Sequence, residues 1–169
     1  MNIKGLVERV KNIIDCIVYP PNGLPKVAEG YELPEDIIEF YSICGGIDLY
    51  VNTEGFSYKI LPAEKFVPAN AAILGQELAS EEYSNDITID CFTIASDANG
   101  DYLVVDLNRN RLGLCYDGFH ETYGLAGDMP IVARSFTELL ESLIVNEGKS
   151  IFWLQDTFES LGDAYDLVE

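Results

Sequence analysis

The chain has 169 residues, 48% of them hydrophobic and 23% charged, the profile of one globular domain with enough length to bury a core. Lys and Arg number 10 against 29 Asp and Glu, a formal net charge of -19. A surface this acidic repels phosphate backbones and excludes direct nucleic-acid binding; it either keeps the chain soluble or draws in a basic partner.

Cys16, Cys44, Cys91 and Cys115 are widely spaced and form no C-x-x-C pair, which argues against a disulfide framework or a zinc site and for reduced, buried thiols in a cytosolic protein. The apolar run Ile13–Val18 is short and broken by Asp15, so neither a signal peptide nor a membrane span is expected.

In chain order, Ile3, Leu6, Val7, Val10, Ile13, Ile14, Ile17 and Val18 form a stripe that predicts an amphipathic helix over residues 3–18. A loop rich in proline follows. Leu33-Pro34-Glu35-Asp36 then opens a second helix: Pro34 suits the first helical position, and the two acids suit the positive end of the helix dipole. Gly45-Gly46 is expected to stop it. Strands are predicted over 47–51 and 56–61, a helix over 69–79, and an acidic loop from Glu77 to Asp90.

The stretch Cys91–Leu107, CFTIASDANGDYLVVDL, predicts a central hairpin, two apolar strands around Asn99-Gly100. A third strand is expected over 112–116 and a loop over 117–128. Ser135 and Glu138 form a capping box at the start of a helix carrying Phe136, Leu139, Leu140, Leu143 and Ile144. A further helix is expected at about 149–162, with Ser150 as its cap. Leu33, Phe40, Tyr41, Phe92, Val104, Phe136 and Leu140 are expected in one core.

Chemistry is sparse. His120 is the sole histidine and sits in an acidic loop, without the Ser or Cys geometry that nucleophilic catalysis needs. Asp97-x-Asn99-x-Asp101 has calcium-like oxygen spacing but lacks the acid at the twelfth position, which suits a polar turn better than a metal loop. No enzyme class, cofactor or metal is indicated.

Three segments share an order. LPEDIIEFYSICGG, ASDANGDYLVVDL and ARSFTELLESL resemble the helix, hairpin and closing-helix motifs of the SUKH superfamily, over roughly residues 30–145. The resemblance implies a single α+β domain, a mixed and mostly antiparallel sheet flanked by helices. It also implies one of two roles: a bacterial immunity protein that binds and occludes a toxin, often a nuclease, or an intracellular regulatory scaffold like the family's fungal cell-wall synthesis regulator. The segment after Gly148 lies outside the shared pattern.

For a basic toxin as partner, the loop is the expected contact because it sets acids beside aromatics. Its residues are Asp117, Phe119, His120, Glu121, Tyr123 and Asp128, with Glu81, Glu82 and Asp86 as a steering rim. Reversing Asp117 and Glu121 together is expected to spare stability.

Overall fold

Leu103, Val104 and Val105 are all fully buried, although consecutive residues of a strand point to opposite faces. A strand with no wet face must lie in mid-sheet with cover on both sides. The computed structural model, which describes residues 1–75 and 85–167, has this arrangement. Seven strands run β1 (Ile17–Val18), β2 (Ile47–Asp48), β3 (Tyr58–Ile60), β4 (Cys91–Asp97), β5 (Tyr102–Asp106), β6 (Cys115–Gly118) and β7 (Ile131–Ala133). Their order in the sheet is their order in the chain, and every pairing is antiparallel. The sheet is therefore a meander and carries none of the parallel pairing that a mixed sheet would have. Four α-helices lie among the described residues: α1 (Ile3–Lys11), α2 (Glu35–Ile43), α3 (Ala69–Leu74) and α4 (Phe136–Asn146).

On the first face, α1, α2 and α4 bury Leu6, Val10, Phe40, Tyr41, Phe136 and Leu140 with Leu103 and Val105, and Leu33 packs at the margin. The Phe40 ring meets Phe136 edge-on at 5.0 Å, and Tyr41 Oη donates to Leu61 O at 2.7 Å. Asp36, in the first turn of α2, accepts from Thr137 N at 2.8 Å and so caps α4 from outside. Ser135 Oγ accepts from Glu138 N at 3.1 Å, as the capping box requires. The Glu138 carboxylate reaches back to Arg134 N, one residue beyond the expected donor, Ser135 N.

On the second face, Val104 packs with Cys91, Tyr116, Tyr123, Met129, Ile131 and Ala164. The core is thus two clusters separated by the sheet, and Val104 lies apart from the other residues expected beside it. A bulge between Thr93 and Ala95 lets Ile94 and Ala95 both face the first cluster. Among the described residues the cover on this side is α3, the 3-10 turn Ile87–Asp90, the loop 119–130 and the end of the chain.

Four expectations change. The first helix ends at Lys11, with Asn12 N donating to Arg9 O and Val10 O; Ile17 and Val18 become the edge strand, and Ile14 is left 98% exposed. Gly45-Gly46 does not cap α2, whose C-cap is the extended Cys44. The glycines instead let the chain run close beside Tyr19 and Pro20, just after β1, since a Cβ on Gly45 would lie 2.2 Å from Pro20 O. The third hairpin strand starts three residues late because Arg111–Leu114 forms a turn. That turn is held by Arg111, whose Nε donates at 2.7 Å to the buried Asp106 carboxylate. Finally, no helix spans 149–162. A 3-10 turn, Phe152–Leu154, takes its place, and Ser150 Oγ donates back to Asn146.

Phe136 is fully buried where α2 and α4 meet. Truncation to Ala in the Phe136→Ala variant is expected to cost about 3–5 kcal/mol, read as a lower urea midpoint at unchanged slope.

Candidate functional site

The hairpin turn at the tip of β4–β5 closes on its own backbone. Asp97 Oδ1 accepts from Asn99 N and Asp101 N, each at 2.9 Å, and Gly100 takes the positive φ of 88°. This carboxylate is engaged as in a polar turn. Asp101 reaches sideways from the same turn: its Oδ1 lies 2.7 Å from His120 Nδ1 and accepts from His120 N at 3.3 Å. The turn and the loop after β6 are therefore joined by a His–Asp contact at the protein surface.

The rest of the loop is pinned from beneath. Tyr123 is buried, and its hydroxyl donates to Asn70 Oδ1 of α3 at 2.7 Å. Asp117 belongs to β6. Its Oδ2 accepts from Trp153 Nε1 at 2.9 Å and its Oδ1 from Phe119 N at 3.0 Å. Burial pushes the Asp117 carboxyl above the usual carboxylate range, against the pull of these donors. At the base of the loop, Asp163 accepts from Gly127 N at 3.1 Å and from Met129 N at 2.8 Å, while Ile131 N donates to Gly162 O. The tail thus holds the loop. Gly162-Asp163 is the only local hint of this in the sequence, as a turn pair whose Asp bonds nearby backbone.

The candidate contact residues accordingly divide. His120, Glu121 and Asp128 are exposed and Phe119 is half-buried. Tyr123 lies in the core, and Asp117 holds Trp153. Asp86 accepts from Thr88 N and Tyr165 Oη, so it braces the second face. Glu81 and Glu82 lie outside the described residues. Sequence reading missed Leu125, which is 46% exposed at the loop tip.

Charge separates the two sides of the sheet. No Lys or Arg occurs in residues 66–108, 112–133 or 150–169, the stretches that supply the described cover of the second face, which Arg111 meets only at its edge, 3.4 Å from Asp90. The first-face helix α1 alone carries Lys4, Arg9 and Lys11. A larger cleft of 520 Å³ lies over β2 and β3 at the other end of the sheet. It holds Lys59 as well as Asp48 and Glu64, with Lys59 Nζ 3.6 Å from Asp48 Oδ2, and so favours neither sign of partner. Among the described residues no three His, Cys, Asp or Glu side chains gather as a metal cage, and no helix is long and apolar enough to cross a membrane.

The sequence model of the SMI1 / KNR4 family (SUKH-1) matches residues 27–142. The chain belongs to this family. Its matched region runs from the loop before α2 through most of α4, so the SUKH-1 unit contains two of the three helices of the first face and six of the strands. The tail that grips the loop through Asp163 lies beyond it. A full-length relative is also found: the chain is 42% identical over 169 residues, 100% of its own length and 99% of the relative's, to "Immunity protein YokJ" of Bacillus subtilis (strain 168). That similarity includes α1 and the tail, which the SUKH-1 match omits. No solved structure matches.

Two expectations follow from the loop. The Asp101 contact raises the His120 pKa above its ordinary 6.5. The pair therefore stabilises the fold fully below pH 6.5, and that contribution is lost as pH rises through the higher folded value. An NMR titration should find His120 titrating above 6.5 in the native protein and moving down in Asp101→Asn. Asp117→Lys should lower stability by roughly 1–3 kcal/mol in urea melts, because it strands the Trp153 and Phe119 donors; this reverses the expectation that reversal at Asp117 spares stability.

Proposed function

We propose that this protein is an immunity protein that binds and occludes a basic toxin domain, acting by stoichiometric blockade and without chemistry of its own. The observation that carries the reading is the full-length similarity to an immunity protein, joined to a sheet face whose described cover supplies acids but no Lys or Arg of its own. A toxin that acts on nucleic acid presents Lys and Arg to phosphates, and an acidic face competes for those same side chains. Charge complementarity of this kind raises the association rate and rejects wrong partners.

The proposed contact is the rim of the loop after β6. His120, Glu121 and Asp128 supply polar groups, Phe119 and Leu125 supply apolar anchors, and Glu81 and Glu82, which lie outside the described residues, are kept as proposed steering acids. Tyr123, Asp117 and Asp86 support this surface from below. The pins beneath the loop fix its shape before binding, which lowers the entropy lost on association. A regulatory scaffold would present several unrelated surfaces, and nothing in the charge distribution favours that over one acidic face.

A search for a toxin domain encoded beside the gene starts the test. Co-expression of the cognate domain with this protein should rescue growth and yield a one-to-one complex. Joint reversal of Glu121 and Asp128 to Lys should weaken that complex by about tenfold or more, roughly 1.4 kcal/mol, with the melting temperature nearly unchanged. Rescue without a stable complex would reject occlusion. Unchanged affinity in the reversed variant would move the contact to another face.

A further inference from the structure

A crevice of 230 Å³ opens between the β4–β5 turn and the loop after β6. Its walls are Asn99 and Asp101 of the turn, Tyr102 of β5, His120 of the loop, and Ala72 and Ile73 of α3. The floor is backbone at Gly118, where a Cβ would lie 2.7 Å from Tyr102 O and 3.3 Å from Ile73 Cδ1. Any larger residue there would fill the gap or push α3 away.

The groups around the opening have one chemical character. Asp101 uses one carboxylate oxygen, Oδ1, on His120, and Oδ2 accepts from none of the described residues. A carboxylate offers about four acceptor positions, so Asp101 remains open to a second cation. Asn99 brings an amide oxygen and Tyr102 an aromatic ring. No Lys or Arg occurs in residues 66–108 or 112–133, which include every wall, so the walls supply no lysine or arginine to Oδ2, while His120 is already engaged on Oδ1. The volume suits one long side chain and not a segment of backbone.

We infer that this crevice seats a single arginine side chain of the basic partner, its guanidinium on Asp101 and Asn99 and its stem along Ile73 and Tyr102. The inference rests on the reading of the loop rim as the toxin contact and names the side chain that the rim captures. Arginine is preferred to lysine because a planar fork can meet a carboxylate and an amide oxygen together and lie against a ring, whereas an ammonium is a compact, strongly hydrated charge. Anchors of this kind, one Arg in a preformed pocket, dominate many interfaces.

The test needs no toxin. Acetyl-arginine amide is titrated into the isotopically labelled protein, with acetyl-lysine amide in parallel, and amide shifts are followed by NMR. The arginine probe should give saturable shifts at Asn99, Gly100, Asp101, Tyr102, Gly118 and His120, with a dissociation constant about threefold or more below that of the lysine probe. Asp101→Asn should abolish them. Because that variant also loosens the tie to His120, Ala72→Lys is the second arm. Ala72 is exposed on the crevice wall, and a lysine there leaves the Asp101–His120 contact intact while adding a competing cation; it too should abolish the response. Shifts that do not saturate, that persist in either variant, or that are equal for both probes overturn the assignment. A response to arginine in a protein that binds no toxin would uphold the crevice and reject the function; toxin binding without the response would do the reverse.

Discussion

The burial of β5 on both faces is the constraint from which the rest of the fold follows. Leu103 and Val105 demand cover on one side of the sheet and Val104 on the other, and the two demands are met by different means. Three helices close the first side. Among the described residues, the second is closed by one short helix, a 3-10 turn, a loop and the end of the chain, none of which could fold alone. These pieces are held by polar ties from below: Tyr123 to Asn70, Tyr165 to Asp86, and Asp163 to the loop backbone. A thin cover built from loops is also where a binding surface is most easily varied without disturbing the sheet.

Much of this was legible in the sequence, and the exceptions have physical causes. Ser135 and Glu138 marked the start of α4 because capping is a local interaction, complete within four residues. The central hairpin was equally local. The first helix was overdrawn because Ile13, Ile14, Ile17 and Val18 continue a helical stripe and no breaker precedes Pro20. Only pairing with Ile47 and Asp48, far along the chain, turns residues 17 and 18 into a strand. The helix expected near the C-terminus fails for a similar reason. Trp153 is drawn to Asp117, and Phe152 packs edge-on against Phe158 at 5.7 Å, contacts that a continuous helix over 149–162 did not anticipate. Tertiary ties override propensity where the segment is short.

The candidate site was legible as a loop of acids and aromatics, but not as two layers. Sequence gives Tyr123 and Phe119 the same character; only the reach of Tyr123 to Asn70 separates the buried pin from the half-buried neighbour. Asp117 and Glu121 are alike in charge, yet one holds an indole and the other faces solvent. The asymmetry of charge across the sheet needed both kinds of information. The basic-free stretches are visible in the sequence, and that they include every described residue packed on the second face is visible only in the fold. Such a face repels itself, a cost to stability that binding to a cationic partner relieves.

The central claim is that the face covered without Lys or Arg is the one that meets the toxin. Amide hydrogen exchange, measured with and without the cognate toxin domain, tests it most directly. The account predicts protection in the loop 119–130 and in the β4–β5 turn, with α1 and the exposed side of α4 unchanged. Protection centred on α1, or on the mixed-charge cleft over β2 and β3, would contradict it.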